Sequence, residues 1–384
     1  MEHGLRDIQL TRLSLYQFKC YPEAQLTFSS PVVCFLGHNG AGKTNLLDAI
    51  HYLSFSKSYF NSLDAQNISS GKEECSITGE FVRGGQPELI SCAWRKGQRK
   101  VLRRNQKEYD KLAHHIGLLP AVMITPYDVD LILEGSEVRR RFIDATLSQI
   151  SPAYLDHLVH YNQALQQRNA LLRQLGRSVT HELTEPWDHQ LAVHGEAIYS
   201  QRNAFIGAFL PLFVEVYREI SGGRETPSLR YSSDLHAGKL MDQLRDALER
   251  DKALERTTKG IHKDELEFDL DDRMIRKFGS QGQQKSFLIS LKLAQLMYLR
   301  DKSGMNPLLM LDDLYDKLDE SRVHNLLRWI HDHHKGQLFI TDTHPDRIPN
   351  LLSGLRISHE AWEVDQASCT LKFRTAGTVG VIQP

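Results

Sequence analysis

Gly37-His38-Asn39-Gly40-Ala41-Gly42-Lys43-Thr44 matches the phosphate-binding pattern G-x-x-x-x-G-K-[ST] at every fixed position. The apolar run Val32-Val33-Cys34-Phe35-Leu36 before it reads as a buried strand, and Asn45-Leu46-Leu47-Asp48-Ala49-Ile50 after it reads as a helix. That order suits the chemistry. Gly37, Gly40 and Gly42 let the backbone curl so that successive N–H groups aim at phosphate oxygens. The helix N-terminus adds its partial positive charge, Lys43 reaches the β- and γ-phosphates, and the Thr44 hydroxyl is a ligand for Mg²⁺. A glycine-rich turn carrying a surface lysine is the bland alternative, and the flanking strand and helix argue against it. Residues 37–45 are therefore expected to hold a nucleoside triphosphate.

A P-loop serves kinases, GTPases and ATPases alike, so the second half of the chain has to discriminate. Leu308-Leu309-Met310-Leu311-Asp312-Asp313 is an apolar run ending in two acids. A buried strand of this kind delivers carboxylates to the C-terminal edge of a sheet, where nucleotides lie. Asp312 is expected to hold Mg²⁺, directly or through water, and Asp313 to orient the attacking water. Upstream, Phe278-Gly279-Ser280-Gln281-Gly282-Gln283-Gln284-Lys285 leads into a helix. Its small residues make either a second anion site at a helix N-terminus or a plain helix cap. One triphosphate uses two such sites most simply if two subunits face each other head to tail, each offering this loop to the nucleotide on the other's P-loop.

Around these motifs the composition is that of a globular protein: 384 residues, 41% hydrophobic, 25% charged, with a formal net charge of −1. Nucleic-acid binding would therefore need a local cationic patch. Residues 1–7 contain no apolar core resembling a signal peptide, and apolar stretches such as 118–124 are too short to span a bilayer. Five scattered cysteines (Cys20, Cys34, Cys75, Cys92, Cys369) suggest free thiols in a reducing cytosol. Alternation at Leu13 and Leu15, and Gly84-Gly85 and Gly97 punctuating residues 75–102, predict antiparallel strands. From Glu137 the period becomes helical. Tyr154, Leu158, Tyr161, Leu165, Leu172 and Leu175 form a seam that Arg168 interrupts, and Gly176 ends it. A second run carries Trp187, Leu191, Ile198, Phe205 and Phe209, and Gly222-Gly223 closes it. A packed helical subdomain or short arm is favoured over an extended coiled coil. The expected division is 1–136, the first half of an ATPase head; 137–225, a helical insertion; and 226–384, the second half.

Taken together the motifs resemble the ATP-binding-cassette class, and within it the bacterial RecF family with its SMC-like head. The resemblance is carried by Gln17-Phe18-Lys19-Cys20-Tyr21, the P-loop, Arg139-Arg140-Arg141-Phe142-Ile143-Asp144 and Gln167-Arg168-Asn169. It continues through Gly260-Ile261-His262-Lys263-Asp264-Glu265-Leu266, Ser280-Gln281-Gly282-Gln283-Gln284 and Leu311-Asp312-Asp313 with Leu318-Asp319. It implies an α/β P-loop ATPase that dimerises on ATP, binds double-stranded and gapped DNA, and acts with RecO and RecR proteins to load recombinase in repair and fork restart. Slow, DNA-stimulated hydrolysis and a cytoplasmic, nucleoid-associated location follow from the same resemblance. Ser280, Gly282 and Gln283 would contact the γ-phosphate of the partner's ATP, and Asp319, at the cassette D-loop position, would lie across the seam. Asp313 stands where cassette ATPases usually carry Glu. His344 in Thr341-Asp342-Thr343-His344 is the candidate switch histidine, and residues 125–128 are the candidate Q-loop. An ATP-gated clamp in which hydrolysis is only a timer, and a transporter ATPase subunit, are the alternatives.

Candidate DNA contacts are Arg95, Lys96, Arg99, Lys100, Arg103, Arg104 and Lys107, crowded on one expected hairpin that would spread them over two faces. A solvated hairpin is the competing reading. Arg139 and Arg140, with Arg141, are a second candidate, although on a helix they diverge and at least one is expected to pair with an acid such as Asp144. His331, His333 and His334 read as an exposed cluster on a helix end in preference to a metal site.

Overall fold

A computed structural model describes residues 7–223, 225–313 and 320–375. The chain forms two compact units, one of residues 1–128 with 295–384 and the other of residues 129–294. The units divide at 128/129 and 294/295, because the strands after the helical hairpin pack with the helices before them.

The first unit is built on two sheets. Strands β1 (Ile8–Phe18), β2 (Tyr21–Thr27), β4 (Glu74–Arg83), β5 (Gln86–Arg95), β6 (Val101–Arg104) and β7 (Lys107–Glu108) form an antiparallel sheet ordered β2-β1-β4-β5-β6-β7. A register shift between Leu10 and Arg12 inserts a residue into β1, so that Leu10 and Leu13 both turn inward despite their odd spacing. At the β4–β5 turn Gly84 (φ 56°) and Gly85 (φ 79°) supply the two left-handed residues that a tight hairpin requires. The second sheet is mixed: β3 (Val32–Leu36), β8 (Ala121–Ile124), β12 (Leu308–Leu311), β13 (Leu338–Asp342), β14 (His359–Asp365) and β15 (Ser368–Arg374), ordered β15-β14-β3-β13-β12-β8. Its central strands are parallel and buried along their whole length, as their unbroken apolar runs require. The P-loop helix, Lys43–Phe55, touches β4 and β5 on one side and β8 and β13 on the other. Leu46, Leu47, Ile50, Tyr52 and Leu53 thereby join both sheets into one core.

The second unit carries a helical hairpin, Pro152–Leu175 and His181–Ser221, and a small antiparallel sheet ordered β11-β10-β9. These strands are β9 (Pro227–Ser232), β10 (Glu265–Leu270) and β11 (Arg273–Met274). Ser151 caps the first helix by accepting from the Tyr154 amide, and Gly222, at φ 81°, ends the second. The second helix runs unbroken through Pro186 and Pro211. Tyr154, Tyr161 and Leu172 are buried as expected, whereas Leu175 is exposed. Arg168 does not interrupt the seam. It is fully buried within it, because acids from two other segments reach it.

Candidate functional site

The loop after β3 and the first turn of the P-loop helix make a cradle of backbone donors. Gly40 (φ 81°) and Gly42 (φ 112°) adopt left-handed conformations, and a Cβ on Gly42 would come within 2.8 Å of the Tyr21 hydroxyl. Tyr21 donates to the Gly42 carbonyl at 3.1 Å and so props the loop from beneath. Ala41, Asn45 and Leu46 donate their amides to carbonyls of the loop itself. Those of Gly40, Gly42, Lys43 and Thr44 have no acceptor among the described residues. Four unsatisfied donors at a helix N-terminus are the arrangement that binds a phosphate chain. The Lys43 ammonium is folded back on the Gly37 and His38 carbonyls at 2.7 and 2.9 Å. Burial lowers its pKa, and the carboxylates of Asp313, Asp312 and Asp342 work against that shift.

Asp312 ends β12 and meets the P-loop directly. Thr44 Oγ1 donates to its carboxylate at 2.9 Å, and Thr341 Oγ1, from β13, donates at 2.7 Å. Burial raises the Asp312 pKa, and these two hydroxyls hold it down in part. Asp313 follows at φ 46°, a left-handed conformation that its short polar side chain tolerates, with its amide bound to Thr341 Oγ1 at 2.9 Å. Thr341 thus orients both acids, and nothing in the sequence singled it out from its strand. Asp342 was likewise missed. Fully buried, it receives Arg347 Nη2 at 2.5 Å and the amide of Thr343 at 2.7 Å, which fixes the turn carrying the exposed His344. A cavity of about 500 Å³ opens beside Gly37 and His38, walled by Thr343, Glu363 and Lys372.

In the second unit, Ser280 donates its amide to Gln283 Oε1 at 2.6 Å and accepts the Gln283 amide at 3.3 Å, a reciprocal capping box on helix Gln281–Ser303. Gln283 Nε2 also reaches Glu225 at 2.6 Å. Asp319 and Leu318 lie outside the described residues. Within residues 125–128, Asp128 accepts the Thr125 amide at 2.6 Å and the Tyr59 hydroxyl.

The cationic hairpin is divided. Arg104 grips Glu88 with two nitrogens, and Lys100 pairs with Asp64 at 3.0 Å and with the Ser56 carbonyl at 2.5 Å. Lys96 pairs with Glu73 at 3.1 Å and Arg99 reaches the Asp110 carbonyl at 3.3 Å, while Arg103 sits 4.0 Å from Glu108; all three remain exposed, as do Arg95 and Lys107. In the second candidate, Arg139 pairs with Glu265 at 2.8 Å, Arg140 donates to the Asp264 carbonyl at 2.7 Å, and Arg141 pairs with Glu137 at 3.3 Å. Asp144 instead takes Arg202 at 2.8 Å. His334 departs from the expected exposed cluster: it is buried, which lowers its pKa to about 4. All five cysteines are free.

A P-loop in contact with the acid that ends β12, at one edge of a largely parallel sheet, with an antiparallel sheet packed on the loop's helix, defines a P-loop ATPase head of the ATP-binding-cassette and SMC kind. A family model, the RecF/RecN/SMC N-terminal domain, matches residues 9–360. The DNA replication and repair protein RecF of Flavobacterium johnsoniae is 44% identical over 359 residues, 93% of this chain and 99% of that protein. A solved structure of the recombination mediator protein RecF-ATP in the RecFOR pathway superposes with a TM-score of 0.85 at 25% identity, covering 95% of this chain and 99% of that one. The Smc head domain from Pyrococcus furiosus shares the fold, at TM-score 0.54 and 15% identity over 96% of each chain. The chain belongs to the RecF family.

Proposed function

We propose that this protein is an ATP-dependent, DNA-binding recombination mediator that closes as a dimer on ATP and reopens after slow hydrolysis. The observation that carries the reading is the 2.9 Å contact of Thr44 Oγ1 with Asp312 beside four unsatisfied P-loop amides, in a chain 44% identical to a RecF protein. The amides and Lys43 bind the phosphates. A hydroxyl and a buried carboxylate in contact are hard oxygen donors, the pair that suits Mg²⁺ bound jointly by protein and phosphate. When bound there the ion neutralises charge on the β- and γ-phosphates. Asp313, with its backbone held by Thr341, orients the attacking water, and His344 on the adjacent turn senses the γ-phosphate. Ser280, Gly282 and Gln283 of one subunit reach the γ-phosphate on the other, with Asp319 at the seam. The capping box holds Ser280 and Gln283 together at that helix N-terminus, and the Gln283 side chain has to leave Glu225 to reach a phosphate.

The partners that follow from this reading are double-stranded and gapped DNA and proteins of the RecO and RecR kind, in the cytoplasm at the nucleoid. Membership of the RecF family speaks against a transporter subunit. Among the described residues no helix is long and apolar enough to cross a membrane. The test is Asp313→Asn, assayed for ATP binding, turnover and DNA retention. Retained ATP and DNA binding with turnover reduced at least ~100-fold is expected, the scale lost when a group that positions a nucleophile is removed. Undiminished turnover would remove Asp313 from the mechanism.

A further inference from the structure

The segment Gly260–Leu266 and the Arg- and Asn-containing helical segments have no role in nucleotide binding, yet they converge on one buried ionic network in the second unit. Arg168, fully buried, donates to Asp188 at 2.5 Å and to Asp251 at 2.6 Å. Asp251 in turn accepts the amide and hydroxyl of Thr258 at 2.9 and 2.6 Å, and Asn169 accepts both from Thr257 at 2.7 and 2.8 Å. Arg202, also buried, donates to Asp144 and Asp264 at 2.8 Å each and to the Ile261 carbonyl at 2.9 Å. His262 bridges the Tyr161 hydroxyl and the Thr257 carbonyl. Gly260, at φ 123°, passes so close that a Cβ would lie 2.4 Å from that hydroxyl. Every few residues of the loop from 256 to 264 are thus tied to an interior anchor. Buried charges are expensive to desolvate, and their best-attested use is to fix one geometry.

What this loop holds in place is a cavity of about 400 Å³. Its lining includes Arg250, Arg256, Lys259 and Lys263 against two carboxylates, and both carboxylates are already engaged: Asp234 by Lys259 at 2.8 Å and Glu265 by Arg139 at 2.8 Å. Arg250, Arg256 and Lys263 are exposed and have no acid partner among the described residues. Burial and then the charges of Arg256 and Arg140 depress the Lys263 pKa, and the carboxylate of Asp251, which Arg168 already holds, offsets that only in part. The rest of the wall is largely hydroxyl, from Ser232, Ser233 and Thr258, with Leu254 its one aliphatic side chain. A wall of cations and hydroxyls offers an acidic peptide little apolar purchase, but it suits a phosphodiester. We propose that this cavity is a backbone-phosphate clamp for DNA, with Arg250, Arg256 and Lys263 as its contacts.

The proposal rests on the DNA-binding reading given above. It is tested with the full chain, ATP and a gapped duplex, by measuring affinity across a salt series for the parent and two variants. One is Arg250→Gln/Arg256→Gln/Lys263→Gln; the other is Arg173→Gln/Arg177→Gln, which removes exposed cations elsewhere in the same unit. Each lost phosphate contact lowers the slope of log K against log salt by about 0.9, so the pocket variant should lose about two to three units of slope and at least about tenfold in affinity. The control should stay within about one unit of the parent. ATP affinity should be unchanged in both. A pocket variant matching the parent overturns the assignment, and so does inorganic phosphate binding in the cavity with no effect of the variant on DNA. A parent that binds no DNA overturns the functional reading along with it.

Discussion

Arg202→Met tests the buried network most directly. The Arg202 side chain is 1% exposed, and its loss strands two carboxylates, that of Asp264 at 0% exposure and that of Asp144 at 18%. Four bonds disappear, two of them to charged acceptors. Asp144 keeps the Tyr154 hydroxyl and Asp264 keeps that of Tyr231, but neither gains a cation. Removing one partner of a buried ion pair costs about 3–5 kcal/mol, which sets the expected loss near neutral pH. The pH dependence has a definite sign. Burial already raises the Asp264 pKa against the pull of Arg202, and removing that cation raises it further. A carboxyl whose folded pKa lies above its unfolded value destabilises the native state as pH rises through that range. The deficit of the variant is therefore smaller at pH 5 than at pH 8. With two units present, the measurement should be amide hydrogen exchange resolved to the helices Pro152–Leu175 and His181–Ser221, since a single global unfolding energy has no clear meaning. Adding Asp264→Asn to Arg202→Met should recover more than about 1 kcal/mol, because it removes the stranded charge. A loss below about 1 kcal/mol in the single variant, or one independent of pH, would refute the network as an anchor.

Lys43→Ala should abolish ATP binding and with it ATP-dependent dimerisation, as read by equilibrium dialysis and sedimentation; undiminished ATP affinity would contradict the site. Ser280→Arg should bind ATP as a monomer yet fail to dimerise, since the bulk enters the partner's site, and normal dimerisation would leave the segment only a helix cap. On the hairpin, Arg99→Ala/Arg103→Ala should flatten the DNA salt slope by up to about two units if these exposed cations touch phosphates. Arg104→Ala should cost stability instead, about 1–3 kcal/mol, by leaving the buried Glu88 carboxylate without its cation and with only the Asn105 amide as donor. The Arg104 hydrogen bonds hold the Glu88 pKa below its usual range, so the parent keeps this contribution at neutral pH and loses it as pH falls through the depressed value. The variant lacks it throughout, and denaturant melts at pH 7 and pH 4 distinguish the two.

The parts of this protein that were legible in its sequence are those that short-range geometry dictates. A phosphate cradle needs glycines at fixed offsets between a strand and a helix, and Gly40 and Gly42 do take the left-handed conformations that spacing implies. Wholly buried parallel strands must be continuously apolar, so β3 and β12 announced themselves, and with them Lys43, Thr44 and Asp312. Tertiary structure alone decided the rest. Thr341 and Asp342 matter because β13 lies between β3 and β12, an order that no local pattern encodes. Arg168 reads as a flaw in an apolar seam until Asp188 and Asp251 arrive from 20 and 83 residues away. The seven cations between residues 95 and 107 look alike in sequence, yet the buried Glu88 claims Arg104 and Asp64 claims Lys100, while the others face water. Whether a charge is spent on an interior partner or left for an external one depends on which distant residues fold against it. Burial sets that value, and burial belongs to the packed chain.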